Sequence, residues 1–258
     1  MSEPQVIIEK RDGFAVLTLN RPDARNALSR EMRLLLVNAI RSFEEDPEVR
    51  VVILTGRGKA FSAGIDLKEL SQEPDALSEM PSEENVVEAM AACSLPVIGA
   101  IHGAAITGGF EVALACDVLI ASENARFADT HARVGVLPGW GIGQKLSRVV
   151  GIYRAKEISL TGNWIDAATA ERWGLVSRVV PAGELLPTCE QIARDMLACD
   201  PATLPAYKRL IDQGYATTLT DALETGIPIA FEHARRLTGE SVEGHRKAEL
   251  VRGRQESR

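Results

Sequence analysis

The sequence predicts an α/β fold, in which short buried strands alternate with helices. Three continuous apolar runs, at residues 51–54, 96–101 and 118–121, are typical of strands covered on both faces. Each of the first two runs is followed by a glycine-containing loop and then by a segment with helical spacing. The 258 residues, 45% of them hydrophobic and 25% charged, are enough for one large core with an appendage.

The N-terminal quarter of the chain predicts a hairpin and an amphipathic helix. Strands at 6–9 and 14–19 flank an Asp12-Gly13 turn, which is a hairpin signal. Ser29 is a candidate N-cap for a helix over 30–44, whose apolar residues fall on one stripe.

The middle of the chain predicts two further helices and a surface loop. Residues 71–84 are rich in Ser, Pro, Glu and Asp, which is typical of a mobile surface loop or lid. Helices are expected at 86–93 and 111–116.

From Asp166 onward helical patterns dominate. Helices are predicted at 167–173, 182–198, 202–213, 219–237 and 242–251, with one short strand at 176–180. A boundary near Pro201 predicts a core over residues 1–200 and a helical region over 201–258.

Composition excludes several functional classes. The net charge of −7 argues against a nucleic-acid surface. The four cysteines lack metal-ligand spacing, which favours reduced thiols in a cytoplasmic protein and predicts no metal site. No signal peptide is apparent, and the uncharged stretch at 94–110 is short and glycine-rich, so no membrane span is expected. The cysteines are Cys93, Cys116, Cys189 and Cys199.

The two glycine-containing loops are the strongest functional signal. They read AFSAGIDL at 60–67 and GAAITGGFE at 103–111. A glycine between a strand and a helix leaves backbone N–H groups free at the start of the helix. Two such loops brought together could aim two N–H donors at one oxygen, which suits an enzyme that stabilises an enolate.

Six ordered motifs, spread over nearly the whole chain, resemble the crotonase (enoyl-CoA hydratase/isomerase) superfamily. They are RPDARNAL at 21–28, GKAFSAGIDL at 58–67, PVI at 96–98 with Gly103 and GGFE at 108–111, ACD at 115–117, LPG at 137–139, and GLV at 174–176. The resemblance implies a spiral of ββα turns with a helical C-terminal trimerisation region. It also implies a trimer or dimer of trimers that binds an acyl-CoA thioester, with coenzyme A as part of the substrate and no separate cofactor.

Matching this sequence to the family motifs assigns candidate site residues. The oxyanion hole would be formed by the backbone N–H groups of Ile65 and Gly108. The substrate would lie along the first loop, at Ala63, Gly64, Ile65, Asp66, Leu67 and Lys68.

The candidate catalytic residues depart from the family pattern at one position. Glu111 matches one of the two catalytic glutamates of hydratases, although a glutamate there could also simply favour the start of a helix. The position of the second glutamate falls on His131, whose imidazole can act as acid or base near neutral pH. Asp129 could orient His131 or serve as a base, and the two would share a side only if this segment is extended.

Four further residues could contact the substrate, but each also has a simpler structural explanation. Trp140 could wall the acyl pocket or simply pack, and Arg25, Lys59 and Lys68 could contact CoA phosphates or be solvated. Three functions stay open: enoyl-CoA hydration, another crotonase reaction (isomerisation, decarboxylation or thioester hydrolysis), and acyl-CoA binding without catalysis.

Overall fold

The computed structural model describes residues 3–72 and 80–256 and confirms a mixed α/β fold. The strands are β1 (Val6–Arg11), β2 (Phe14–Leu19), β3 (Val51–Gly56), β4 (Ala60–Ser62), β5 (Val97–Ile101), β6 (Ala104–Ile106), β7 (Val118–Ser122), β8 (Arg126–Ala128), β9 (Ile165–Asp166) and β10 (Arg178–Val180). The helices are α1 (Arg30–Glu44), α2 (Leu67–Gln72), α3 (Val86–Ala92), α4 (Gly108–Leu114), α5 (His131–Val134), α6 (Ile142–Val150), α7 (Ile152–Thr161), α8 (Ala167–Arg172), α9 (Leu185–Leu197), α10 (Thr203–Tyr215), α11 (Leu219–Ala234) and α12 (Gly239–Glu256).

The chain winds as a spiral in which three successive turns each place one strand in each of two sheets. The pairs are β3 with β4, β5 with β6, and β7 with β8, and each pair is followed by a helix. The larger sheet has the order β1-β2-β3-β5-β7-β10 and the smaller one β4-β6-β8-β9. Neighbouring turns pair in parallel in both sheets. This arrangement is the spiral of ββα turns that the resemblance implies.

The N-terminal elements follow their sequence signals closely. β1 and β2 pair antiparallel around the predicted turn, and α1 has the predicted bounds. The Ser29 side chain accepts a hydrogen bond from the N–H of Met32, which satisfies one donor at the start of α1.

The central strands of the larger sheet, β2, β3, β5 and β7, are buried on both faces. Phe14, Val16 and Ile53 pack on one side with residues of α9, whereas Leu17, Leu54 and neighbouring side chains belong to the main core on the other. Strands covered on both faces need apolar residues at successive positions, which explains the continuous apolar runs.

Several expectations for the middle of the chain require correction. The expectation of a surface loop at 71–84 is right for exposure at both described ends but wrong in two details: the exposed Ser71 and Gln72 close α2, and Glu84, at the end of the 3-10 turn Ser82–Glu84, is buried. Residues 73–79 lie outside the described residues. Helix α4 begins at Gly108 rather than at residue 111, because the glycine loop itself supplies its first turn.

Two compact units make up the chain, one up to Pro205 and one from Ala206 onward. The division falls within α10, a few residues after the sequence-based boundary. The oligomerisation role of the C-terminal helices stays a prediction. Among the described residues, no helix is long and apolar enough to cross a membrane.

A buried ion pair joins the end of the 71–84 segment to α1. Glu84 accepts hydrogen bonds from Arg33 Nη2 at 2.6 Å and from Arg30 Nε at 2.6 Å. Burial disfavours the charged form of Glu84, but the two arginines outweigh that effect and lower the pKa of its carboxyl below the ordinary value.

We therefore expect Glu84→Gln to lower the free energy of unfolding by about 3 kcal/mol near pH 7, because it leaves Arg33 buried without its counter-charge. Because the native pKa of Glu84 is depressed, the loss should be full above the ordinary glutamate value of 4.5 and should shrink as pH falls below it. Urea unfolding across this pH range measures the difference. The exposed neighbour Glu83, changed to Gln, is the matched control, and an equal effect of both variants would contradict the prediction.

Candidate active site

The first glycine loop is held by polar side chains of the preceding chain segment, 21–28. Asn26 is fully buried, and its amide donates hydrogen bonds to the carbonyls of Arg57 and Ala60. The Ser62 hydroxyl donates to the Asn26 carbonyl at 2.8 Å and accepts from the N–H of Gly64 at 3.1 Å. These bonds fix the path of the chain from β4 into the loop.

Asp66 anchors the other end of this loop. Its carboxylate pairs with Arg21 Nη1 at 2.9 Å and accepts from the N–H of Lys68 at 3.0 Å. Burial disfavours the charged carboxylate, but the bonds from Arg21 and Lys68 outweigh it, so the pKa of Asp66 lies below its ordinary value. The Asp66 side chain therefore holds the start of α2 in place.

The second glycine loop contains a strained threonine. Thr107 has φ 53° and ψ −115°, a conformation that a β-branched residue rarely adopts. Its hydroxyl lies 2.6 Å from the hydroxyl of Thr130 and accepts a hydrogen bond from the Thr130 N–H at 3.3 Å. Such strain persists only where the surroundings enforce it, and here the two threonines tie the second loop to the segment that carries His131.

The two glycine loops approach each other without side chains between them. A Cβ on Gly64 would lie 3.0 Å from the N of Gly108, and one on Gly108 would lie 3.3 Å from the N of Ile65. Gly64 also has φ +86°, which favours glycine. No hydrogen bond within residues 3–72 and 80–256 uses the N–H of Ile65 or Gly108. The structure thus brings the two predicted donors together with both N–H groups available.

A cavity of about 480 Å³ lies beside these loops. Apolar side chains form much of its wall, and Thr107, Glu111, Thr130 and His131 contribute polar groups. This combination suits a largely apolar ligand with one reacting polar group. The full lining is Ala63, Ile65, Leu67, Leu70, Met80, Asn85, Thr107, Glu111, Thr130, His131, Val134, Val136, Leu137, Gly139 and Trp140.

Glu111 is the central carboxylate of this cavity and is only 3% exposed. Its Oε1 accepts hydrogen bonds from the N–H groups of Trp140 at 3.0 Å and Ile142 at 3.3 Å, where α6 begins. Burial raises the pKa of Glu111, and nearby His131 and the two N–H groups offset only part of that rise. A raised pKa increases the fraction of the carboxyl that is protonated at a given pH, which favours a role in giving as well as taking a proton.

His131 faces the free oxygen of Glu111. Its Nε2 lies 3.6 Å from Glu111 Oε2, and its Nδ1 lies 2.7 Å from Asp129 Oδ1. The sequence analysis expected Asp129 and His131 to lie on the same side only if their segment were extended, and this was wrong. The two side chains are in contact although residues 129–131 do not form a strand, because His131 begins α5. The turn lets Asp129 Oδ1 accept from the His131 backbone N–H, at 3.2 Å, as well as contact its ring.

Some of the remaining candidate residues line the cavity, whereas others are exposed to solvent. Trp140 lines the cavity with its half-buried side chain and contributes its N–H to Glu111, and Ala63 and Leu67 also line it. Arg25, Lys59 and Lys68 are exposed. Sequence reasoning missed Thr107, Thr130 and Ile142. The Gly141-Ile142 start of a helical pattern is the signal that could have found the last of these.

The described residues contain no group of three or more His, Cys, Asp or Glu side chains that could hold a metal ion. The cavity brings together two backbone N–H donors and the Glu111–His131 pair. Such a set can stabilise negative charge on one oxygen while protons move to and from neighbouring atoms.

Comparisons with known proteins agree on one family. The sequence model described as enoyl-CoA hydratase/isomerase matches residues 9–238. A protein of Arabidopsis thaliana named "Probable enoyl-CoA hydratase 1, peroxisomal" is 41% identical over 86% of this chain and 84% of its own length. The crystal structure of an enoyl-CoA hydratase from Bacillus anthracis has a TM-score of 0.85 at 32% identity and covers 98% of this chain and 97% of that one. A monofunctional enoyl-CoA isomerase from M. smegmatis has a TM-score of 0.75 at 37% identity, over 86% and 99% of the two chains.

The glycine loop geometry predicts losses of stability of different size for two neighbouring substitutions. Gly109→Ala would place a Cβ 2.5 Å from the Ser62 carbonyl oxygen, so it should lower the free energy of unfolding by about 3 kcal/mol. Gly108→Ala meets its nearest atom at 3.3 Å and should fold with a much smaller loss. Urea unfolding of both variants provides the measurement, and equal losses would refute the packing derived for this contact.

The free energy of unfolding of Glu111→Gln should increase relative to that of the wild type as pH rises. Because the native pKa of Glu111 is raised, wild-type stability falls as pH increases from the ordinary value of 4.5 through the raised one, and glutamine lacks this dependence. Unfolding measurements at about pH 4 and about pH 7 should show the difference moving in favour of the variant. The exposed Glu123, changed to Gln, is the control and should show no such trend.

Proposed function

The chain belongs to the enoyl-CoA hydratase/isomerase family, and on that premise we propose that it adds water across the 2,3-double bond of an enoyl-CoA thioester. The reaction forms a bond from the water oxygen to Cβ and places a proton on Cα. It transfers only protons and a hydroxyl group, so the proposal includes no cofactor apart from the coenzyme A that the substrate carries.

The observation that carries this proposal is the position of one acid/base pair beside two free N–H donors. Glu111 Oε2 and His131 Nε2 are 3.6 Å apart in the wall of the cavity that Ile65 and Thr107 also line. Two groups this close can both reach the atoms added across one double bond. Attack at Cβ moves the π electrons onto the thioester oxygen, where the N–H groups of Ile65 and Gly108 would stabilise the enolate.

The proton steps follow from the same pair. One member takes a proton from water as the oxygen bonds to Cβ, and the other gives a proton to Cα as the enolate collapses. The apolar wall, which includes Leu67, Leu70 and Met80, would receive the acyl chain. The exposed Arg25, Lys59 and Lys68 remain candidates for the CoA phosphates.

Double-bond isomerisation is the second candidate. The replacement of a second carboxylate by His131 favours it, as does the similarity to an enoyl-CoA isomerase. A single carboxyl such as Glu111 could remove a proton from Cα of a 3-enoyl thioester and return it to the γ carbon through the same enolate. This reaction leaves the mass of the substrate unchanged, whereas hydration adds one water.

The proposal extends to self-association through the C-terminal helices as a trimer or dimer of trimers. Within the second unit, α11 exposes Leu219, Leu223 and Phe231, each more than half accessible. Exposed large apolar residues of this kind are typical of interfaces. Light scattering should give three or six times the 27.9 kDa of the chain, and a monomeric mass would overturn this part.

Turnover assays test the function directly. With crotonyl-CoA and a longer 2-enoyl-CoA, the wild type should remove the ultraviolet absorbance of the conjugated thioester and yield a product heavier by one water. Glu111→Gln should lower kcat by about 10²–10⁴-fold, because it removes a general acid/base group. Gly108→Ala should lower kcat by about 10²–10³-fold, because its Cβ crowds the Ile65 donor.

Glu123→Gln is the matched control and should retain wild-type turnover, since it removes an exposed carboxylate. An unchanged mass with a shifted double bond would replace hydration by isomerisation. Binding of acyl-CoA with no turnover of any enoyl, ketoacyl or malonyl thioester would identify a non-catalytic binding protein instead.

A further inference from the structure

Asp129 lies behind the His131 ring, on the side opposite the ring nitrogen that faces Glu111. It is 2% exposed, and its Oδ1 contacts both the backbone N–H and Nδ1 of His131. The Ser159 hydroxyl on α7 also hydrogen-bonds to this carboxylate. Burial disfavours the charged form of Asp129, but these bonds outweigh it and hold the pKa of the carboxyl below its ordinary value.

An ionised carboxylate can only accept hydrogen bonds, so the ring nitrogen that contacts it must carry the proton. In the neutral ring, Nδ1 is then the protonated nitrogen and Nε2 holds the lone pair. Nε2 is also the ring nitrogen on the side of Glu111, 3.6 Å from its Oε2. Because Glu111 Oε1 already accepts two backbone N–H groups, Oε2 is the oxygen free to carry an exchangeable proton.

We propose that Asp129 is a positioning residue that fixes the Nδ1–H tautomer of His131, so that Asp129 and His131 together take the place of a single second carboxylate. This inference rests on the proposed hydration and deepens it. In the opposite tautomer, Nε2 would carry a proton while the ring is neutral, and it could not accept one from water.

With this tautomer, every proton that moves during one turnover can be accounted for. If Glu111 begins protonated, His131 Nε2 takes the proton that water loses, and Glu111 Oε2 gives its proton to Cα. The pair then holds one proton as before, but on His131 rather than on Glu111. Transfer from Nε2 to Oε2 restores the starting state, and their separation of 3.6 Å makes this return a local step.

The segment is braced on both sides of Asp129 and His131. Thr130, between them, is tied to the second glycine loop through the Thr107 hydroxyl, 2.6 Å away. Ser159 holds the Asp129 carboxylate from α7. The ring therefore keeps its orientation relative to the Gly108 donor, which directly follows Thr107.

The tautomer is measurable in the free enzyme by long-range ¹H–¹⁵N spectroscopy of the histidine rings, with His131→Asn to assign the signals. The wild type should show His131 protonated at Nδ1 and unprotonated at Nε2 when the ring is neutral. Asp129→Ala should let the Nε2–H form become populated. A wild-type ring with the proton on Nε2, or a pattern unchanged in Asp129→Ala, would overturn the proposal.

Kinetics separate positioning from a purely structural role. Asp129→Ala should lower kcat by about 10²-fold with little change in KM, because the acid/base step and not binding is impaired. Ser159→Ala keeps the carboxylate and should cause a smaller loss in the same direction. Asp212→Ala, which removes an exposed carboxylate from α10, should change neither the ring signals nor kcat.

A double-mutant cycle completes the test. In a His131→Glu background the histidine tautomer no longer exists, so Asp129→Ala should not lower kcat further and should raise it by relieving like-charge repulsion. Equal losses in both backgrounds would show that Asp129 acts only on the fold. The Nδ1–H pattern without any turnover would leave the positioning role intact and refute the proposed hydration instead.

Discussion

The contact between the two glycine loops constrains the rest of the molecule. The Gly64 and Gly108 backbones come so close that a Cβ on either would lie within about 3.3 Å of a backbone nitrogen of the other loop. This approach is possible only because successive turns of the spiral stack in parallel, with β4 paired to β6 and β6 to β8. The pairing of β4 with β6 thereby brings the loops that carry the N–H groups of Ile65 and Gly108 close together.

The polar groups around this contact form hydrogen bonds that hold the two loops in place. Asn26, Ser62 and Asp66 are buried, and their hydrogen bonds join the 21–28 segment to the first loop. On the second loop, a pair of threonine hydroxyls holds Thr107 in a backbone conformation that would otherwise relax. Preorganised donors of this kind need no rearrangement when charge develops on a bound oxygen.

The same site carries an energetic cost that its chemistry requires. Glu111 sits in an apolar wall where burial disfavours its charged form, and only two N–H groups and His131 compensate. Asp129 is equally buried, yet its partners stabilise its charge. Two carboxyls on either side of one imidazole are therefore biased in opposite directions, which is the usual basis for dividing acid and base roles between neighbouring groups.

Sequence reasoning located the parts of this site that depend on local pattern. The apolar runs of the larger sheet, the Ser29 cap and the motif positions of Ile65, Gly108, Glu111 and His131 could all be read along the chain. The smaller sheet could not, because strands of two or three residues such as β4, β8 and β9 are too short to show a period. Glu84 was misplaced for a related reason: its polar neighbours indicate a surface loop, and its burial is explained by two partners distant in the chain, Arg33 and Arg30.

The sequence by itself determined the α/β class, the family and the residue types available for chemistry, because these depend on composition, order and spacing. Tertiary structure alone decided which atoms of those residues face one another. The oxygen of Glu111 that remains free, the ring nitrogen of His131 that meets it, and the contact from Asp129 all depend on backbone turns and on N–H groups from α6. Such directions are set by packing between segments distant in the chain, and no local pattern encodes them.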